Sequence, residues 1–119
     1  MRMMKYKVIK EYNDAPQFPI TIKKGENLRF IDESDPAGFW PNWILCRGKD
    51  KEGWIPKQIL KIEGSEVISS EDYTAREHNL VNDEVLVAEK ELNGWIWGWK
   101  VLDPGIWAWA PLNHLQKLF

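Results

Sequence analysis

The side chains able to do chemistry are few, and their spacing does not assemble an active site. His78 and His114 stand far apart, and neither neighbours a nucleophile motif. The single cysteine, Cys46, leaves no second thiol, and no HxxxH pair is present to hold a metal. Asp32-Glu33-Ser34-Asp35 reads as a solvated turn, since a calcium loop needs more oxygen ligands and a glycine-defined bend. Glu89, Lys90 and Glu91 read as exposed turn charges. Without an acid–base pair or an activated nucleophile the chain is not expected to be an enzyme. No cofactor and no metal are expected. What remains is aromatic chemistry: eight tryptophans in 119 residues. A chain this small cannot bury all of them completely, and exposed aromatic clusters mark binding surfaces.

The formal charge of −2 gives no basic footprint for phosphate neutralisation, so nucleic acid is not an expected partner. Apolar runs are only a few residues long, which excludes a membrane-spanning helix. The basic start, Met1–Lys7, is not followed by an apolar core, so no export signal is read. With one unpaired cysteine, a reducing, cytoplasmic location is expected.

The elements that must position the tryptophans occur twice. Gly53-Trp54-Ile55-Pro56-Lys57-Gln58-Ile59-Leu60 returns as Ala108-Trp109-Ala110-Pro111-Leu112-Asn113-His114-Leu115. Asn42–Cys46 likewise resembles Gly94–Gly98, and Tyr12-Asn13-Asp14-Ala15 resembles Tyr73-Thr74-Ala75. The offsets change in turn-like segments, one of them Lys100–Ile106 with the turn signal Asp103-Pro104-Gly105. Duplicated domains diverge in this way. The repeat predicts two units, 1–63 and 64–119, joined by the short polar linker Glu63-Gly64-Ser65-Glu66. Strands are expected throughout: Val8-Ile9, Leu28–Ile31 after the turn at Gly25, a hairpin of Trp43–Arg47 with Glu52–Pro56, and Val85–Ala88 after a turn in which Asn82 takes the left-handed geometry of Gly25. Short strands at close spacing without a long helix indicate small all-β barrels.

These residues resemble the Src-homology-3 (SH3) domain, twice over nearly the whole chain. Tyr12-Asn13-Asp14-Ala15 and Asp72–Glu77 echo its opening tyrosine motif, and Lys23-Lys24-Gly25-Glu26 its diverging turn. Trp43 and Trp95 match the groove tryptophan, with small Cys46 and Gly98 three positions on. Gly53–Ile59 and Ala108–His114 match the closing stretch. The tryptophan-rich form looks most like variant domains of prokaryotic proteins. The resemblance implies two five-stranded SH3-like β-barrels in tandem. It also implies a non-catalytic module that binds a protein or peptide segment, including proline-containing ones, through aromatic grooves.

Carried over residue by residue, the first groove is Tyr12, Trp43, Trp54, Pro56, Gln58 and Ile59. The second is Tyr73, Trp95, Trp109, Pro111, Asn113 and His114. The family's final groove tyrosine is Ile59 in one copy and His114 in the other, and an earlier one is Lys10 or Glu71, so both polyproline slots are eroded. The first loop of the second unit is shorter than that of the first, and Asp35–Pro41 rebuilds the wall of the first groove. Trp97, Trp99 and Trp107 are expected as an outer aromatic stripe packed against the other barrel or a partner subunit, and Cys46 as a small core residue. Two other readings stay open: a cell-wall or carbohydrate-binding module, because exposed tryptophans also stack on sugar rings, and a structural domain whose tryptophans serve as glue with no functional groove.

Overall fold

The computed structural model describes residues 3–118, and these are all-β. In chain order the strands are β1 (Met4–Val8), β2 (Thr21–Ile22), β3 (Asn27–Glu33), β4 (Trp43–Gly48), β5 (Lys51–Pro56) and β6 (Leu60–Glu63). They continue as β7 (Glu66–Ser69), β8 (Tyr73–Thr74), β9 (Val85–Leu92), β10 (Trp95–Lys100), β11 (Asp103–Pro111) and β12 (Leu115–Lys117). Single 3-10 turns, Lys57–Ile59 and Leu112–His114, follow the two prolines of the repeated signature.

Two compact units emerge, and neither is a linear half. Unit 1 is Met1–Gln17 with Arg76–Phe119, and unit 2 is Phe18–Ala75. The boundary expected at 63/64 therefore falls inside unit 2. Unit 1 has the sheet order β11-β10-β9-β1-β12, and unit 2 the order β5-β4-β3-β7-β6, all antiparallel. The two orders correspond strand for strand once β1 and β7 are recognised as equivalents that have changed places. The opening strand of the first half completes the unit built from the second half, and the reverse. Residues 18–75 form an uninterrupted unit, inserted into a loop of the other.

The expected linker supplies the physical reason. Glu63 pairs with Glu66 across a two-residue turn, in which Gly64 takes φ +65°. Gly at the first central position with positive φ is the signature of a tight hairpin turn whose twist suits the flanking strands. So short a connection places β7 directly against β6 rather than releasing it to a separate unit. Apolar alternation fixes the result: Val67 is fully buried in the unit 2 core with Leu28, Ile44, Cys46 and Ile55, while Tyr6 and Val8 are buried in the unit 1 core with Leu80, Leu86 and Ile96. Burying a valine contributes roughly 1.5–3 kcal/mol, enough to hold each exchanged strand in register.

Neither five-stranded sheet closes into a ring of paired strands among the described residues. The strands that would close them, β6 and β12, have only four and three residues, and each is already paired along one edge to β7 or β1. Local expectations meet mixed outcomes. The β4–β5 hairpin forms as expected, around Gly48-Lys49-Asp50-Lys51. Glu89–Glu91 lie within strand β9, not in a turn, and Asp103-Pro104-Gly105 opens β11, the turn falling at Val101-Leu102. The left-handed residue matching Gly25 is Asp83, at φ 75°, not Asn82. Cys46 is buried as expected, and burial pushes its thiol up to about 11, which keeps it protonated and inert.

Candidate functional site

The strand exchange reassigns the groove tyrosines. Tyr12 lies in unit 1, where it bridges to Leu80, and Tyr73 lies in unit 2, where it pairs with Ile22. Each expected groove therefore loses its tyrosine to the other. Trp95, Trp109, Pro111, Asn113 and His114 share unit 1 with Tyr12, whereas Trp43, Trp54, Pro56, Gln58 and Ile59 share unit 2 with Tyr73. The loop-length comparison changes for the same reason, because the loop beside each groove is assembled from two separate limbs. In unit 1 the limbs are held together by the reciprocal backbone bonds of Tyr12 and Leu80, at 3.1 and 2.7 Å, and by the Ala15 amide donating to Asn79 Oδ1 at 3.2 Å.

In unit 1 three rings converge. Tyr12 meets Trp95 edge-on at a centroid distance of 6.0 Å and His114 edge-on at 5.2 Å, the favourable geometry for aromatic quadrupoles. The Tyr12 hydroxyl donates to Glu77 Oε1. Burial, together with the bond to Glu77, pushes the Tyr12 hydroxyl well above the usual phenol range. Burial also raises Glu77 above the ordinary carboxylate value, although the Tyr12 bond works in the opposite direction. The His114 ring is anchored through Nδ1, which lies 3.2 Å from the Lys10 carbonyl oxygen and 3.1 Å from that of Glu11. All three rings are half-buried, Asn113 is exposed beside them and Pro111 is buried beneath.

The neighbouring β10–β11 hairpin carries the aromatic stripe, with Trp97 paired directly to Trp109. Ring centroids are 5.1 Å apart for Trp97–Trp109, 6.2 Å for Trp97–Trp107 and 4.5 Å for Trp99–Trp107. Trp109 is buried, only 5% exposed, and Lys90 Nζ lies 5.7 Å from its ring centroid. Glu77 bridges to Trp109, and the amide of His78 donates to its carbonyl at 2.8 Å, so the edge of β11 is covered by the loop limb. The buried His78 ring reaches the Gly98 carbonyl at 3.0 Å, and burial holds its pKa below the ordinary histidine value.

Unit 2 is built differently. Trp43 is only 9% exposed and its buried indole N–H has no acceptor, a feature for which we have no physical account. The expected open position of this tryptophan does not form. Ile59 and Pro56 are buried, Gln58 is exposed, and Trp54 is 41% exposed. The Tyr73 hydroxyl lies 3.4 Å from the Trp54 carbonyl. The Asp35–Pro41 segment forms an exposed turn, pinned by the amides of Ala37 and Gly38 on Asp35, with Phe39 almost wholly in solvent.

The comparisons with known proteins follow this geometry. Residues 5–63 match the family model described as Variant SH3 domain. No curated protein and no solved structure matches the chain. The matched span is a linear half, so in space the SH3 match divides: its first strand, β1, belongs to unit 1, and its remaining strands belong to unit 2. Among the described residues no group of three or more His, Cys, Asp or Glu side chains could hold a metal ion. Reading the sequence missed Glu77 and the loop limb it sits on. Glu77 follows Tyr73 by four positions and reads as part of that tyrosine's motif, but the exchange delivers it to Tyr12. The available signal was the linker, whose Gly64 between Ile62-Glu63 and Glu66-Val67 reads as a tight hairpin.

Proposed function

We propose that the chain is a non-catalytic binding module of two SH3-like units, one inserted into the sequence of the other, and that it captures a protein or peptide segment in the groove of unit 1. The observation that carries this reading is the convergence of Tyr12, Trp95 and His114, half-buried and edge-on, beside exposed Asn113 and above Pro111. Those are the positions at which the SH3 resemblance puts ligand contacts. Partly open aromatic side chains backed by a rigid sheet are the usual anchors of peptide recognition. In unit 2 the matching tryptophan is buried, which assigns that unit a supporting role. A sugar-stacking platform is disfavoured by the stripe on β10–β11, since its rings are tilted to one another by 33–55° rather than coplanar.

The test is an array of immobilised decapeptides probed with the full chain and with Trp95→Ala. Peptides that bind the native chain are expected to lose at least about tenfold in affinity with the variant, the size of an aromatic hot spot. Binding that ignores Trp95 throughout would leave the groove without a role and favour the reading in which the tryptophans are structural glue.

A further inference from the structure

The loop limb of unit 1 is tied down beside a buried, titratable side chain. Arg76 to His78 lie along β11 as a short parallel bridge. The Trp109 amide donates to the Arg76 carbonyl at 2.9 Å, and the His78 amide to the Trp109 carbonyl at 2.8 Å. Glu77, between them, accepts the Tyr12 hydroxyl, and Tyr12 in turn meets Trp95 and His114 edge-on. The limb therefore sets the groove. Unit 2 shows that the strand plan alone does not dock it. By the register of Leu80 with Tyr12 and of Ile22 with Tyr73, the matching limb is Phe18-Pro19-Ile20. Among the described residues it makes no backbone bond to Trp54. Trp54 is 41% exposed, against 5% for Trp109 under the docked limb.

At the position of Ile20, unit 1 carries His78. Its ring is buried and Nε2 faces the Gly98 carbonyl at 3.0 Å, so Nε2 holds the proton of the neutral ring. A second proton must enter at Nδ1, inside the unit. The surrounding charges oppose one another: Lys100 on β10 disfavours that proton, while Glu84 before β9 and Asp103 on β11 favour it. Glu84 is itself paired with Lys100 at 3.0 Å. On the limb, Arg76 and Glu77 precede the ring, and Glu77 is bonded to Tyr12. Burial outweighs the rest and disfavours the charged ring. A released limb puts the same ring in water, where it protonates at the ordinary histidine value.

We infer that His78 is an acid-sensitive latch: its protonation lifts the Arg76–His78 limb off β11, uncovers Trp109 and withdraws Glu77 from Tyr12, so that the unit 1 groove is assembled at neutral pH and dismantled in mild acid. Its effect on binding rests on the groove reading above; the release itself belongs to the free chain. Between pH 7.5 and 5 the released form gains up to about thirtyfold, tenfold for each pH unit below about 6.5. Glu77 acts in the opposite sense nearer the ordinary carboxylate range, which closes the window below about pH 5.

Amide exchange of the free full chain from pH 7.5 to 5, read as protection factors, tests the latch without ligand or variant. The His78 and Trp109 amides are expected to be less protected than those of Leu86 and Ile96 at every pH. Their protection should fall by up to about thirtyfold on acidification, with the Tyr12 ring signals moving over the same range. Limb amides as well protected as Leu86 and Ile96 throughout mean that the limb opens only when unit 1 unfolds, which overturns the latch. His114 also stands in the groove, so His78→Gln is the control: it should hold the Tyr12 ring signals at their neutral-pH positions down to pH 5, and an unchanged acid response overturns the inference. A histidine-free decapeptide that binds the native chain but not Trp95→Ala should bind the native chain at least about threefold more weakly at pH 5 than at pH 7.5. Equal binding at both pH values removes the limb from control of the groove. Finding no decapeptide that depends on Trp95 overturns the groove reading alone and leaves the latch to the exchange data.

Discussion

In unit 1 the groove tyrosine donates a hydrogen bond to a carboxylate, and the tryptophan beside it is half-open. In unit 2 the hydroxyl of the equivalent tyrosine, Tyr73, lies 3.4 Å from the Trp54 backbone carbonyl, and the equivalent tryptophan, Trp43, is buried. The register explains part of this contrast. Leu80 faces Tyr12 as Ile22 faces Tyr73, so three residues upstream Glu77 in unit 1 corresponds to Pro19 in unit 2. A proline side chain there can supply no acceptor to a phenol. The closing-strand tryptophans reverse the order: Trp109 is buried beneath the loop limb of unit 1, and Trp54 is exposed in unit 2. Two copies of one strand plan can thus diverge in which aromatic is offered to solvent while keeping the same core positions. The core positions are kept although their side chains differ in size: Ile44, Cys46 and Ile55 in unit 2 stand where Ile96, Gly98 and Ala110 stand in unit 1. The grooves are freer.

The largest expected effect comes from cutting at the exchange points rather than at the repeat boundary. Phe18–Ala75 contains a complete five-stranded sheet, and its ends are tied by the Ala75 amide bonding the Ile20 carbonyl at 2.9 Å. Expressed alone, it is expected to unfold cooperatively in urea and to give a dispersed amide spectrum. Within the full chain, Gly64→Val should cost unit 2 about 1–2 kcal/mol through its φ of +65°, with no loss in unit 1. An excised segment without structure would mean that the linear halves, not the exchanged units, are the folding elements.

A smaller effect separates the two cores. A Cβ built on Gly98 would lie 2.0 Å from the Val87 carbonyl oxygen and 2.9 Å from the Ala88 Cα, backbone atoms that cannot step aside. The chain bulges at this residue, and the register to β9 shifts between Trp97 and Gly98. Cys46 holds the corresponding place in unit 2, fully buried with a side chain that fits. Gly98→Ala is therefore expected to cost unit 1 about 3 kcal/mol or more, and Cys46→Ala only about 1 kcal/mol in unit 2. Amide exchange resolved by unit is the measurement, and equal costs would contradict the steric account.

How much of this was legible in the sequence depends on range. Strand positions, the β4–β5 hairpin and the buried Cys46 follow from alternation and turn chemistry, which act over a few residues. The doubled tryptophan–proline signature was read as a repeat, and the 3-10 turn that follows each of its prolines was not foreseen. Which β1-type strand serves which sheet was not readable from the repeat, because Val8 and Val67 suit the same slot equally well. Only the length of the link between Glu63 and Glu66 decides, and a repeat invites reading that link as a boundary. The errors at the grooves follow from this one misassignment. Tyr12 and Tyr73 were correctly paired as equivalents but placed in each other's units, and Glu77 went unnoticed beside the wrong tyrosine.

Acid gives the finest separation of the units, because their titrating groups respond with different signs. In unit 1 burial outweighs the bond to Gly98 and holds His78 below the ordinary histidine value of about 6.5. The unfolded chain then takes up its proton first, so stability falls as pH drops below that value. Glu77 acts in reverse: its raised pKa lets the folded state bind a proton first, which returns some stability as pH approaches the ordinary carboxylate range from above. Unit 2 has no buried histidine among its described residues. There Glu26, lowered chiefly by its bond to Lys51, holds its contribution until pH falls below the ordinary carboxylate range. Between about pH 6.5 and 5, amide protection factors, corrected for the intrinsic slowing of exchange, should therefore fall in β9 and β10 while those of β3 and β4 hold. His78→Gln should abolish that difference, and an equal loss of protection in both sheets would remove His78 as its source.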